Sequence, residues 1–287
     1  MRAIWWSLLL LPFAGGCVGP HMSGREEVSA AIGICFDAGA EGEVRERVAE
    51  QLARQNVELV GCLGAKAEAA QAPPIEWQRP RQFEGVRSAA PLPERPADAR
   101  FGYSFERGPL HLTVIETAEP VTAGSEAYLW LMDDLSLTSR PWKVVILSRP
   151  IVSPSPVRVD QDQMDLAGLL AREGVALAIA TGGPAYFRTA RIGESRKESV
   201  RYVILGAEDS REPLKPPPQW TVRTITETCF CVLDARKSGL RWAAVDLQGR
   251  LLDLLEVPAA EGSASQAQSF TWSEVIASER AQTTIPE

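Results

Sequence analysis

Two short apolar runs, Val28 to Phe36 and Val57 to Leu63, bracket a stretch from Glu41 to Gln55 in which Val44, Val48, Leu52 and Ala53 recur at helical spacing. Apolar runs of this length fit buried strands, and the first ends at Asp37-Ala38-Gly39, where glycine marks a turn. Strand, helix and strand joined so tightly make a β-α-β unit, whose crossover is right-handed. In open α/β sheets the working site lies beyond the carboxyl ends of the strands. Asp37 and the pair Gly64-Ala65 are therefore expected at one rim.

The alternation continues after an interruption. Between Ala67 and Arg100 the composition turns to Pro, Ala, Arg and Glu, which reads as an irregular connection. A YSF strand (Tyr103 to Phe105) is followed by a strand at Leu110 to Ile115, a helix at Ser125 to Ser136 and a strand at Trp142 to Leu147. A helix at Gln163 to Glu173 and a strand at Val175 to Ala180 come next. Tyr128, Leu131 and Leu135 share one face of the first of these helices, which leaves Asp133 and Asp134 expected in solvent. Later strands are expected at Val200 to Leu205, Cys229 to Leu233, Leu240 to Asp246 and Leu251 to Val257, with Ser238-Gly239 and Gln248-Gly249 as turns. The prolines at 216–218 mark the passage from helix-alternating strands to hairpins. One folded domain is expected over residues 28–258, and 259–287, rich in Ala, Ser, Gln and Thr, is expected to be a flexible tail.

A chain of 287 residues with 45% hydrophobic and 23% charged composition buries a large core. Its net charge of -7 and the absence of any Lys/Arg cluster exclude a phosphate-backbone binder, so nucleic acid is not an expected partner.

The chain opens with Arg2, an apolar run from Ile4 to Phe13, and Ala14-Gly15-Gly16-Cys17, the three parts of a secretory signal. The run is too short for an ordinary membrane span. Small residues before a cysteine resemble the bacterial lipobox, although Ala14 stands where leucine is usual, which leaves a plain signal peptide or cleavage elsewhere as the alternative. On the lipobox reading residues 1–17 are a signal peptide ending at a lipid-modified Cys17, 18–27 are a tether, and the protein is exported and membrane-anchored, facing the periplasm or the cell exterior. Of the other cysteines, Cys229 and Cys231 alternate on one face of a strand and are poorly placed to bond each other. Cys35 and Cys62 lie in neighbouring runs and are the pair to test for a disulfide, against the blander expectation of buried, small apolar residues.

The stretches YSFERGPLHLTVIET (Tyr103 to Thr117), AGSEAYLWLMDDL (Ala123 to Leu135), RPWKVVILSRP (Arg140 to Pro150) and GVALAIATGGPAYFRT (Gly174 to Thr189) resemble the core of a calcineurin-like metallophosphoesterase of the purple-acid-phosphatase type. RYVILGAEDS and AAVDLQGRLLDLLEV resemble that family's glycine-rich loop and final strand pair. The resemblance implies an α/β fold, a sandwich of two mixed β-sheets flanked by helices, and a dinuclear Fe, Zn or Mn site. The ligand positions depart from the family. Its first Asp falls on Asp37, but its Gly-Asp falls on Gly64-Ala65, its His-x-Pro on Ser148-Arg149-Pro150, and its Gly-His-x-His on Thr181-Gly182-Gly183-Pro184. Its Gly-Asn-His-Asp element has no counterpart between Ala67 and Arg100. Metal ligands are thus lost at Ala65, Ser148, Gly182 and Pro184.

A two-metal phosphoesterase needs about six hard or borderline ligands to hold both ions and activate a water. The chain has two histidines, His21 in the tether and His111 within a strand, where a structural role is expected. No metal cofactor is expected. The resemblance would bring Asp37, Ser148, Arg149, Tyr186 and Arg188 towards one rim, where the two guanidiniums either take an anion or pair with surface carboxylates, the second being preferred. Ser148 has no histidine to act as its base. Gly182-Gly183 lacks the lysine of a phosphate loop and reads as a tight turn. The expectation is a catalytically inactive binding or scaffold module at the cell envelope, with an envelope protein or small anion as partner. The alternatives are an active phosphomonoester or phosphodiester hydrolase with a metal-poor site, using Asp37, Arg149 and Tyr186, and an inert structural envelope protein.

Overall fold

The computed structural model describes residues 30–37, 42–55, 57–64, 75–78, 92–117, 119–152, 159–183, 185–195, 198–206, 217–259 and 268–283. Cys17, Ala65 and Pro184 lie outside the described residues.

The opening unit forms as its pattern dictates. Strand β1 (Ala30–Asp37), helix α1 (Gly42–Arg54) and strand β2 (Leu59–Gly64) follow in order, and the strands pair in parallel from Ile32 opposite Leu59 to Asp37 opposite Gly64. Helix α1 turns Leu52 onto the outer face of the sheet, among Val57, Val60, Phe230, Ala243 and Val245, and Val48 packs against the same cluster.

The connection expected to be irregular contains a strand. β3 (Ile75–Gln78) pairs antiparallel with β2, extending the sheet by one strand. Flanked by Pro73-Pro74 and Pro80, these residues are too few to show an alternation in sequence. Tertiary contact defines them: Trp77 Nε1 donates to the Tyr103 hydroxyl at 2.7 Å, and its ring meets Phe105 edge-on with centroids 5.1 Å apart.

β4 (Gly102–Arg107) and β5 (Leu110–Ile115) make a hairpin through Gly108, whose φ of 48° suits glycine. Helix α2 (Glu126–Leu137) is capped by Ser125, whose hydroxyl accepts from Tyr128 N, and leads into β6 (Trp142–Leu147). Helix α3 (Gln161–Arg172) starts from a capping box of Asp160 and Gln163 and leads into β7 (Val175–Gly183). β8 (Tyr186–Gly193), β9 (Ser199–Gly206) and β10 (Thr221–Ile225) follow, then β11 (Cys229–Ala235), β12 (Gly239–Asp246) and β13 (Leu251–Pro258). β14 (Ser269–Thr271) and helix α4 (Trp272–Thr283) close the described chain.

Two mixed sheets result. One has the order β13-β12-β11-β1-β2-β3, the other β10-β8-β9-β7-β6-β5-β4, with β14 added beside β8. They face each other across a core that includes Ile32, Ile34, Leu110, Leu112, Val144, Ile179, Val203, Leu233 and Trp242. Helices α2 and α3 cover the outer face of the second sheet through Leu131, Leu135, Leu166 and Leu170. The part of the tail that is described is ordered against the domain: Ser269 to Thr271 pair with Arg191 to Gly193, and Trp272 and Val275 are buried in the cluster beneath α2 and α3. A tryptophan and a valine three residues apart gave one helical face, enough to dock because the sheet supplies its partner.

Candidate functional site

The parallel strands of both sheets end on one side. β5, β6, β7 and β9 are mutually parallel in the second sheet, as β1 and β2 are in the first. Asp37, in register with Gly64, ends β1, and Ser148 and Arg149 follow β6 directly. Ser148 is half-buried, and its hydroxyl donates to the Thr117 carbonyl at 3.1 Å, tying the end of β6 to that of β5. A serine whose proton goes to a backbone carbonyl has no base beside it and is no activated nucleophile. Arg149 is exposed.

The segment expected as a tight turn is partly strand. β7 runs through Gly183, and its ladder with β9 shifts between Thr181 opposite Leu205 and Gly183 opposite Gly206. Gly182 is thus the bulged residue, exposed, with φ at 101° and open space where a side chain would be. On either side of it the backbones close in: a Cβ on Gly206 would sit 2.1 Å from the Gly183 carbonyl oxygen. The position matching a family histidine is therefore a backbone bulge suited to glycine.

Tyr186 and Arg188 do not join this rim. Both start β8, whose amino end lies beside the carboxyl end of β9 through Phe187 opposite Ile204, but their side chains turn into the layer between the sheets. Arg188 donates from Nε to Asp253 Oδ2 at 2.6 Å and from Nη2 to Oδ1 at 2.7 Å. Tyr186 donates to the same Oδ2 at 2.6 Å and accepts from Trp242 Nε1 at 3.1 Å. Asp253 is level with Ala244, Cys231 and Ile34 across β12, β11 and β1, three residues before Asp37, so this network lies one layer beneath the rim. The carboxylate facing Arg188 is buried, not on the surface as expected, and a guanidinium so engaged is not available to an external anion.

The electrostatics follow from that closure. Burial works against the Asp253 carboxylate, but hydrogen bonds from Arg188 and Tyr186 and the Arg188 charge outweigh it and lower its pKa. Burial also opposes the Arg188 cation, and Asp253 reverses this and raises its pKa. For Tyr186, burial first, then Cys231 and Asp253, push the phenol well above its usual range. It is a hydrogen-bond donor here, not an acid.

A second polar cluster lies on the opposite face of β5. Asp134, expected in solvent, is half-buried: Oδ2 accepts from Thr113 at 2.7 Å and lies 3.0 Å from His111 Nε2, while Oδ1 accepts from Ser104. Burial raises its pKa, and the His111, Ser104 and Thr113 hydrogen bonds more than reverse this. The arrangement holds the end of α2 to the β4–β5 hairpin, and Ser104 bonds the carboxylate, not the histidine, so it is not a Ser-His-Asp triad. Asp134 stands three residues after Leu131, and His111 and Thr113 share one strand parity, which is the signal that places the three together.

The donor chemistry at the described rim does not fit a dinuclear metal. Ser148 is spent on a carbonyl, Gly182 has no side chain, and among the described residues no three His, Cys, Asp or Glu side chains gather in a metal-holding group.

No protein-family model matches the chain. It is 26% identical over 145 residues to purple acid phosphatase 18 of Arabidopsis thaliana, a match spanning 46% of this chain and 33% of that protein. The structure superposes on a purple acid phosphatase from yellow lupin (Lupinus luteus) seeds with a TM-score of 0.60 at 14% identity, over 83% of this chain and 57% of that one. It superposes on GAP50, described as the anchor in the inner membrane complex of Plasmodium, with a TM-score of 0.55 at 11% identity, over 90% of this chain and 95% of that one. The chain thus spans about a third of the length of the curated relative and over half of the lupin enzyme. With two mixed sheets, helices on their outer faces and parallel strands ending at one rim, this chain has the calcineurin-like metallophosphoesterase fold.

Proposed function

We propose that this protein is a catalytically retired member of the phosphoesterase lineage, exported and lipid-anchored through Cys17, that serves as a binding or scaffold module at the cell envelope. The observation carrying this reading is what stands at the ligand positions: Ser148 bonded to a carbonyl and Gly182 as a bulge with positive φ. A two-metal hydrolysis needs side chains there that clamp both the attacking and leaving oxygens. GAP50 supports the scaffold part, since it matches over nearly the full length of both chains and is described as an anchor. The signal-like amino terminus ending in Ala14-Gly15-Gly16-Cys17 supports export and anchoring.

The test is elemental analysis of the purified soluble form beginning after Cys17, with phosphomonoesterase and phosphodiesterase assays on the same sample after adding Mn, Zn and Fe. Sub-stoichiometric metal and no metal-dependent turnover are expected. Stoichiometric metal with turnover would overturn the proposal and make the protein a hydrolase with ligands drawn from elsewhere in the chain.

A further inference from the structure

We propose that Cys35 and Cys62 are a redox-modification site, closing by thiol–disulfide exchange into a cross-strand disulfide between β1 and β2. The two residues face each other in the parallel register, and their Sγ atoms are 2.8 Å apart. Neighbouring strands place facing Cα atoms about 4.8 Å apart, inside the window of about 4.4–6.8 Å that a disulfide spans. Both side chains point to the same face, where they pack against the cluster that α1 covers, and both remain partly exposed. The geometry a disulfide requires is therefore already set by backbone pairing, and closure needs side-chain rotation alone.

The other cysteines of the described structure do not offer this. Cys229 and Cys231 are two residues apart on one strand, which sets their Cα atoms about 6.7 Å apart, at the far end of that window, and although their thiols hydrogen-bond each other their nearly parallel Cβ bonds do not converge as a disulfide requires. Cys231 is also completely buried, and that burial, first among its causes, pushes its thiol pKa well up, away from the reactive thiolate.

The chemistry balances with a low-molecular-weight disulfide such as oxidised glutathione as oxidant. One protein thiolate attacks a sulfur of that disulfide, forming a mixed disulfide and releasing one glutathione thiolate. The second protein thiolate attacks the protein sulfur of the mixed disulfide, the Cys35–Cys62 bond forms, and the second glutathione leaves. Two protein thiols are oxidised, one glutathione disulfide is reduced to two thiols, and the two protons pass to the departing thiolates.

The bond would close the chain across the whole β1-α1-β2 crossover, 27 residues apart in sequence, and fix the two strands whose carboxyl ends carry Asp37 and Gly64. The inference does not rest on the proposed function, because it concerns strand geometry and not hydrolysis or anchoring.

The experiment equilibrates the purified protein over a series of reduced-to-oxidised glutathione ratios, quenches with an alkylating agent, and maps the cysteine peptides without reduction. The expected result is a Cys35–Cys62 cross-linked peptide lacking two hydrogens, with Cys231 alkylated only after unfolding. The oxidised protein is expected to melt about 5–10 °C above the reduced one, given its loop length. That difference should vanish in Cys35→Ser and persist in Cys229→Ser. Separate alkylation of Cys35 and Cys62 at every ratio would overturn the proposal, as would a cross-link formed mainly by Cys229 or Cys231. The mapping is made on the unsubstituted protein, so its outcome does not depend on the folding of any variant.

Discussion

Arg188 on β8 and Asp253 on β13 form a two-point ion pair across the sandwich, with both carboxylate oxygens within 2.7 Å of guanidinium nitrogens and both side chains buried. It joins strands of different sheets far apart in sequence, and Tyr186 and Trp242 complete the network from either side. Buried charges are costly to desolvate and tolerable only when all their hydrogen-bonding capacity is met, as it is for this carboxylate.

Removing one partner should therefore cost more than removing both. Asp253→Ala leaves a buried guanidinium unpaired and is expected to destabilise the protein by about 3–5 kcal/mol in urea unfolding. Arg188→Leu combined with Asp253→Leu should be much less damaging than Asp253→Ala. Equal losses in the two variants would show that the pair does not act as a unit.

This network and the separate Asp134 cluster together shape the acid side of the stability profile. Asp253 and Asp134 both have folded-state pKa values below that of an ordinary aspartate. Their contribution is fully present above the unfolded value of about 3.9 and is lost as pH falls from there through the folded values, because the unfolded chain takes up those protons first. Melting temperatures measured from pH 6 down to pH 3 should drop steeply below about pH 4. Asp253→Asn should lower the plateau and flatten the drop; an unchanged slope would contradict this assignment.

Gly182 and Gly206 should respond differently to the same methyl group. Gly182→Ala meets open space and pays only for a backbone at φ 101°, about 1–2 kcal/mol. Gly206→Ala places a Cβ 2.1 Å from a backbone oxygen and must prise β7 from β9, so its loss in thermal unfolding should be clearly larger. A similar or larger loss for Gly182→Ala would show that the bulge does not leave open space for a side chain. A histidine placed at 182 meets the same φ constraint.

If Cys17 is lipid-modified, cells fed a labelled fatty acid should incorporate label into the unsubstituted protein, and Cys17→Ser should lose both the label and the membrane-fraction signal. Retention of the membrane signal without label would place the anchor elsewhere.

Much of the scaffold was legible before any coordinates. Strands at Leu110 to Ile115 and Trp142 to Leu147 have the bounds their apolar runs suggest, and the helices expected at Ser125 to Ser136 and Gln163 to Glu173 form as α2 and α3 within two residues of those bounds. What was missed has a common cause. β3 and β10 are short edge strands whose identity comes from one neighbour, with too few residues for an alternation to declare itself. β8 was hidden because Arg188, Thr189 and Arg191 break its apolar pattern, yet Arg188 is buried against a carboxylate some sixty residues later in the chain. The inward-facing Asp253 among leucines was the one trace of that pairing.

The sequence by itself determined the β-α-β framework, the order of most strands and the absence of histidines from the family's ligand positions, because these depend on local periodicity and on residue identity. Tertiary structure alone decided that Tyr186 and Arg188 turn into the sandwich while Ser148 stays at the rim, that Asp134 joins His111, and that Cys35 lies against Cys62. Each of those outcomes is a choice of face or partner between residues distant in the chain. Such choices are set by which sheets pack together and by the cost of leaving a buried charge without a matching group there.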